Sequence, residues 1–246
     1  MAWLESKIAR RRVWADGLMS LTLEHTLSQF VPGQYVNLGL DLSGTRVKRS
    51  YSLASGLGEP SELYLSRVPG GAFTPALFEL REHDALWIDD RPLGFFTLKY
   101  VPEAQHLWLF ATGTGLGPFV SMLKGEEIWR RFSRIVLAHG VREVSHLGYS
   151  ELLAGWAKAR AEQFAYVPLL TRAAAPPGAL HGRLPQLIES GALEARAGLR
   201  LEPEATHVLL CGNPNMLSDV QTVLATRGLV KHRPRAPGHV SVESYW

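Results

Sequence analysis

The chain has 246 residues, 46% of them hydrophobic, which suffices for one large domain or for two modest domains with substantial cores. Its 26 basic and 23 acidic residues nearly balance, and a formal net charge of +3 argues against a general nucleic-acid-binding protein. A single cysteine, Cys211, excludes an intramolecular disulfide and a cysteine-ligated iron–sulfur or zinc centre, and the nine histidines show no metal-ligand spacing.

The first hundred residues mostly alternate between apolar and polar positions, as half-buried strands do. Strands are predicted at about 19–23, 36–40, 46–53, 63–68, 87–89 and 95–98. A glycine turn at 69–74, whose amides can curl round an anion, leads into a short helix at 75–80 with Thr74 as its N-cap. Short strands joined by hairpin turns favour a small antiparallel barrel.

Beyond Pro102 the pattern changes to continuous apolar runs, which are typical of strands buried on both faces of a parallel sheet. Such strands are predicted at 107–111, 135–138, 165–170 and 208–211, with helices at 119–124, 149–163, 184–190 and 216–226. Alternating strands and helices predict an α/β domain with right-handed crossovers. The sequence therefore predicts two domains, residues 1–101 and residues 102–246.

The motif Arg-Ser-Tyr-Ser at 49–52 places a guanidinium, a flat ring and two hydroxyls on one extended segment. Arg49 can fork onto phosphate oxygens, Tyr51 can stack on a ring, and the serine hydroxyls can reach heteroatoms at the ring edge. Such a surface suits a flat ring system that carries a diphosphate. An ordinary exposed strand would look the same, so the rest of the chain has to decide.

The first apolar strand of the second half ends in Gly-Thr-Gly-Leu-Gly-Pro at 113–118, where the backbone can approach a ligand at a helix start. The six-residue dinucleotide fingerprint is not present, and no acidic residue follows the next strand to hold a ribose. Arginines follow the strands instead, at Arg142, Arg172 and Arg183, which favours NADPH over NADH. Any one of them alone would be an ordinary surface residue.

Four motifs in order make the chain resemble the bacterial flavodoxin/ferredoxin–NADP reductases of the subgroup that ends in Tyr-Trp. They are Arg-Ser-Tyr-Ser at 49–52, Gly-Thr-Gly-Leu-Gly-Pro at 113–118, Cys-Gly-Asn-Pro at 211–214 and Val-Glu-Ser-Tyr-Trp at 242–246. The resemblance covers the whole chain. It implies an antiparallel FAD-binding β-barrel domain followed by an NADP-binding α/β domain, whose C-terminal tail returns to the flavin.

The same resemblance implies roles for individual residues. Arg49 would hold the FAD diphosphate, Tyr51 and Tyr245 would cover the two isoalloxazine faces, and Trp246 would stack on adenine. Further FAD contacts are implied for Ser50, Ser52, Tyr64, Val68, Ala72, Phe73, Thr74 and, from the second domain, Thr114. NADP contacts are implied for Arg142, Thr171, Arg172 and Arg183, with Asn213 and Asp219 as weaker candidates.

Ser52, Cys211, Glu243 and Tyr245 match positions that line the nicotinamide site, where they would orient the ring without bonding to substrate. We expect that deletion of Tyr245 and Trp246 loosens FAD and relaxes the preference for NADPH.

The implied activity is electron transfer from NADPH, through FAD, to flavodoxin or ferredoxin. Basic clusters at 10–12, 46–49 and 231–235 suit transient docking of an acidic carrier to a monomeric reductase. The N-terminus lacks a secretion-signal pattern and no apolar run approaches membrane-spanning length, so we expect a cytoplasmic protein without a membrane partner. Two alternatives stay open, a flavin or oxygenase-coupled reductase on the same domains and a redox-silent FAD-binding regulatory module.

Overall fold

A computed structural model describes residues 3–27 and 29–244. The chain divides into two compact units, of which the first comprises Met1–Lys99 and Gly117–Glu126 and the second comprises Tyr100–Leu116 and Glu127–Trp246. No helix within the described ranges is long and apolar enough to cross a membrane.

The first unit is built on a six-stranded antiparallel sheet with the strand order β4-β3-β6-β1-β2-β5. Its strands are β1 (Trp3–Ala15), β2 (Leu18–Leu23), β3 (Tyr35–Leu42), β4 (Thr45–Ser52), β5 (Glu62–Ser66) and β6 (Ala85–Asp89), and its helices are α1 (Phe73–Glu79) and α2 (Gly117–Lys124). The sheet is barrel-like but not closed. Its two edge strands approach each other where Leu53, just after β4, bridges Leu63 of β5.

Alternating apolar side chains of the strands fill the inside of this sheet. Leu21, Val36, Leu38, Leu63 and Ile88 are all fully buried there, because period-two alternation directs them to one face. Helix α2 packs on the same unit through a hydrogen bond from Ser121 Oγ to the carbonyl of Ser55 at 2.7 Å.

Two local predictions for the first unit are wrong. Residues 95–98 form no strand; Phe96 is buried in irregular chain, Leu98 is buried as the first residue of a 3₁₀ turn, and the sixth strand is β1, whose run of arginines hid its alternation. Helix α1 begins at Phe73 with Ala72 as its N-cap residue. Thr74 lies inside that helix, where its hydroxyl accepts a hydrogen bond from the Val68 N–H at 2.8 Å.

The second unit is a six-stranded parallel sheet with the order β10-β9-β8-β7-β11-β12 and helices between the strands. The strands are β7 (His106–Thr112), β8 (Arg134–Val141), β9 (Phe164–Leu170), β10 (Leu180–His181), β11 (Thr206–Gly212) and β12 (Val240–Ser244). The helices are α3 (Glu126–Arg131), α4 (Ser150–Ala159), α5 (Leu184–Glu189), α6 (Ala192–Ala197) and α7 (Pro214–Thr226). Strand order reverses between β7 and β11, and such a reversal is where open α/β sheets bind ligands.

The predicted two-part fold is confirmed, and the four apolar runs are β7, β8, β9 and β11. The sequence did not predict the two edge strands or the helices α3 and α6. Helix α4 ends at Ala159, four residues earlier than predicted, because the chain turns at Arg160 before entering β9.

Candidate functional site

The Arg-Ser-Tyr-Ser motif lies at the end of β4, paired with β3, in the first unit. Arg49 is exposed, and its Nη1 donates to the carbonyl of Lys48 at 2.7 Å. The Tyr51 ring lies against Phe73, with centroids 6.1 Å apart and planes tilted by 31°. Burial raises the pKa of the Tyr51 phenol well above its usual value, against the opposing charge of Arg49, so the ring is neutral.

A hydrogen-bonded chain of polar side chains fixes β4 to the middle of its sheet. Ser50 Oγ donates to Asn37 Oδ1 at 2.7 Å, and Asn37 Nδ2 donates to Asp89 Oδ2 at 3.2 Å. The other carboxylate oxygen of Asp89 accepts from the backbone N–H of Arg91 at 3.2 Å. Asn37 and Asp89 are both buried, and sequence reasoning missed them as supports of the motif. Their only signal in the sequence was that each is a polar residue in a mostly apolar strand, Asn37 in β3 and Asp89 in β6.

The glycine turn before α1 gathers several of the predicted residues. Val68 and Thr74 are joined by the hydrogen bond across the turn, Ala72 is exposed, and Phe73 is buried beneath Tyr51. Tyr64 lies apart from them, buried in β5 with its ring edge-on to Trp14 at 6.4 Å. Ser52 is also buried, at the end of β4.

In the second unit, the glycine turn after β7 lies at the reversal of strand order. Gly113 has φ of 53°, and a Cβ on Gly115 would meet the carbonyl oxygen of Cys211. Gly212 has φ of 141°, and its Cβ would meet Thr112 Oγ1, which also accepts from the Asn213 N–H at 3.1 Å. The ends of β7 and β11 are therefore in close backbone contact.

Cys211 and Glu243 are opposite each other in the register of β11 and β12, and the thiol lies 3.9 Å from Glu243 Oε2. Cys211 is fully buried, whereas Glu243 is half-buried. Two of the residues predicted to line the nicotinamide site are therefore neighbours within this unit.

His139 is a further buried group near the carboxyl ends of the parallel strands. It lies in β8, and its Nε2 is 3.0 Å from the carbonyl oxygen of Gly113. Burial lowers its pKa to about 4, although the hydrogen bond to Gly113 acts in the opposite direction. The imidazole is therefore neutral at ordinary pH.

The three predicted arginines follow three neighbouring strands. Arg142 comes after β8, Arg172 after β9 and Arg183 after β10, and all three are exposed. The Arg172 N–H donates to the carbonyl of Arg142 at 3.1 Å, and Thr171 Oγ1 donates to the carbonyl of Val141 at 3.3 Å. The structure thus places the three arginines after the carboxyl ends of neighbouring strands in the parallel sheet.

The weaker candidates are less well placed for side-chain binding. The amide oxygen of Asn213 caps helix α7, accepting from Asn215 and Met216 N–H groups at 2.9 and 3.4 Å, and Asp219 is exposed on the same helix. Thr114 is half-buried in the turn after β7. Tyr245 and Trp246 lie outside the described residues, so their assigned contacts stay predictions.

Comparison with known proteins gives the family. Residues 109–222 match the family model of the oxidoreductase NAD-binding domain. The chain is 39% identical to the flavodoxin/ferredoxin–NADP reductases of Shigella flexneri and Escherichia coli K12, over 99% of its length and 99% of theirs. A crystal structure of a ferredoxin NADP⁺ reductase from Neisseria gonorrhoeae with bound FAD and NADP matches with a TM-score of 0.94 at 28% identity, covering 100% of both chains. The resemblance in the motifs is thereby confirmed, and the chain belongs to the flavodoxin/ferredoxin–NADP reductase family.

Proposed function

We propose that the chain is an NADPH-dependent flavoenzyme that transfers electrons between NADPH and flavodoxin or ferredoxin. The observation that carries this proposal is the full-length match to reductases of that name, which includes both motif-bearing units. The solved relative with bound FAD and NADP supports the same two nucleotides here. We assign FAD to residues 1–101 and NADP to residues 102–246, with helix α2 packed on the first unit.

The residues of the first unit fit FAD by their chemistry. Arg49 offers an exposed guanidinium for a diphosphate, and Tyr51 offers a neutral ring held by Phe73 for a flat ring system. The Ser50, Asn37 and Asp89 chain holds the strand that carries both. Bound FAD would supply the conversion between a two-electron donor and one-electron carriers.

The second unit fits NADPH because three exposed arginines follow three neighbouring strands of its sheet. Arg142, Arg172 and Arg183 would hold the extra phosphate on the ribose, a role for which guanidinium is suited. Cys211 and Glu243 would orient the nicotinamide ring, since they meet at the carboxyl end of β11 and β12. Thr171 stabilises the strand end that carries Arg172, through its bond to Val141.

The carrier is proposed to be acidic and to dock transiently on a monomeric, cytoplasmic reductase. Within the basic clusters the charges are not equally available. Arg46 pairs with Asp41 at 2.9 Å and stacks 3.8 Å from the Trp87 ring centroid, so Lys48 and Arg49 are the exposed charges of that segment. Lys231, Arg233 and Arg235 are exposed in the second unit.

The test compares reduction of a purified acidic flavodoxin with reduction of an uncharged quinone, both driven by saturating NADPH, over a range of salt concentrations. Flavodoxin reduction should slow as salt rises, whereas quinone reduction should change little. Equal salt sensitivity would contradict electrostatic docking. Turnover of free flavin without carrier reduction would favour a flavin reductase, and absence of all turnover would favour a redox-silent module.

A further inference from the structure

His139 occupies a position where a polar side chain is unfavourable. It lies on the central strand β8, opposite Ala111 of β7 and Pro168 of β9, and it is 0% exposed. Its neighbours along the strand, Leu137 and Ala138, are fully buried apolar residues. An apolar side chain of similar size would fill this position without the cost of desolvating an imidazole. The hydrogen bond that His139 makes is therefore what distinguishes a histidine from an apolar residue here.

That hydrogen bond has a defined direction. A carbonyl oxygen only accepts, so the proton on the Nε2 of His139 is donated to Gly113. The other ring nitrogen, Nδ1, is buried and has no hydrogen-bond partner among residues 3–27 and 29–244. The ring therefore makes its one hydrogen bond to the turn after β7.

The same turn is held by its other neighbours. On the β8 side, a Cβ on Gly140 would come within 3.3 Å of Thr112 Cγ2. On the β11 side, Thr112 accepts from Asn213 and Gly115 touches the backbone of Cys211. Between these contacts, Gly113 adopts the left-handed conformation with φ of 53°, and the His139 bond fixes the carbonyl at that residue.

We propose that His139 is a positioning residue for the nucleotide reaction, which sets the turn at 112–116 through its bond to Gly113 and thereby the placement of the nicotinamide beside Cys211. The inference rests on the proposed function, because it refines how the second unit receives NADPH. Loss of the donor lets the turn relax against the end of β11, and nucleotide binding weakens without loss of the fold.

The experiment compares His139→Leu, which removes the donor, with His139→Gln, whose amide nitrogen can reach about where Nε2 stands. The matched control is His207→Leu. His207 is also buried in the parallel sheet, but it lies near the amino end of β11 and hydrogen-bonds Ser241 Oγ at 2.9 Å. The readouts are the NADPH KM and kcat with ferricyanide, the NADP⁺ dissociation constant, FAD content and the melting temperature.

His139→Leu should raise the NADPH KM and the NADP⁺ dissociation constant about tenfold, in line with loss of one well-placed hydrogen bond, while FAD content stays that of the wild type. His139→Gln should stay within about threefold of the wild type, and His207→Leu should lower the melting temperature without changing KM. The inference would be overturned if all three variants kept the NADPH KM of the wild type. It would also be overturned if His139→Gln raised the NADPH KM as much as His139→Leu does. A wild-type protein that never oxidises NADPH would instead refute the proposed function.

Discussion

The thiol of Cys211 lies 3.9 Å from the Oε2 of Glu243, its direct partner in the register between β11 and β12. The thiol can donate to this carboxylate, and buried cysteines are generally unreactive. The pair is therefore suited to shaping a binding surface and not to nucleophilic chemistry.

Removal of the thiol should slow NADPH oxidation without unfolding the protein. For Cys211→Ala we expect kcat with ferricyanide to fall about tenfold through loss of ring orientation, and Cys211→Ser, which keeps a donor, to fall less. Stopped-flow reduction by NADPH measures the effect directly. Wild-type rates in Cys211→Ala would remove Cys211 from the nicotinamide site.

Truncation of Arg172 should reduce affinity for NADPH but not for NADH, because only NADPH carries the ribose phosphate. Charge-assisted hydrogen bonds contribute about 1.5–3 kcal/mol, so Arg172→Ala should raise the NADPH KM roughly 10- to 100-fold. The control is Arg200→Ala, since Arg200 has a side chain that is 79% exposed, beside Glu202. A parallel rise in the KM for both nucleotides would argue against phosphate recognition.

Asn37 should be important for stability because it is the side-chain donor to the buried carboxylate of Asp89. In Asn37→Leu that carboxylate keeps the Arg91 N–H but loses the amide, at a cost of about 2–3 kcal/mol in the free energy of unfolding. Urea denaturation measures this loss. The double variant Asn37→Leu with Asp89→Leu should lose less than the two single variants added together; strict additivity would contradict coupling across β3 and β6.

Mild acid should destabilise the fold through two buried histidines. Burial lowers the pKa of His139 to about 4, and burial together with the charges of His232, His239 and Arg131 lowers that of His207 to about 3. Because the unfolded chain takes up these protons near pH 6.5, the stabilisation is complete above that pH and declines as pH falls towards 4 and 3.

Between pH 7.5 and pH 5 each histidine should therefore lower the free energy of unfolding by about 2 kcal/mol. His207→Leu should show a correspondingly smaller difference between the two pH values in urea denaturation. An unchanged difference would mean that His207 is not kept neutral in the folded protein.

The sequence predicted the strands that have a clear pattern of apolar residues, either alternating or continuous. The four apolar runs of the second unit are recognisable because both faces of a central parallel strand are buried. Edge strands carry less signal: β10 has two residues, and β12 reads as a polar tail until its pairing with β11 places Glu243 beside Cys211. Strand β1 was missed because its arginines face outward over much of its length.

The sequence predicted the motif residues of the site, but not the buried residues that hold those motifs in place. Arg49, Tyr51 and Cys211 stand out by residue type, whereas Asn37 and Asp89 gain meaning only when β3, β4 and β6 are neighbours. His139 belongs to none of the sequence motifs, and its contact with Gly113 depends on the turn geometry after β7, so the sequence alone does not mark it.

The most direct test of the proposed function is an anaerobic titration of protein purified without added flavin, with NADPH and separately with NADH, followed by the visible flavin spectrum. We predict a yellow protein that bleaches at low NADPH and only at much higher NADH, since the arginines after β8, β9 and β10 should discriminate between the nucleotides. A colourless protein, or a yellow one that neither nucleotide bleaches, would contradict it.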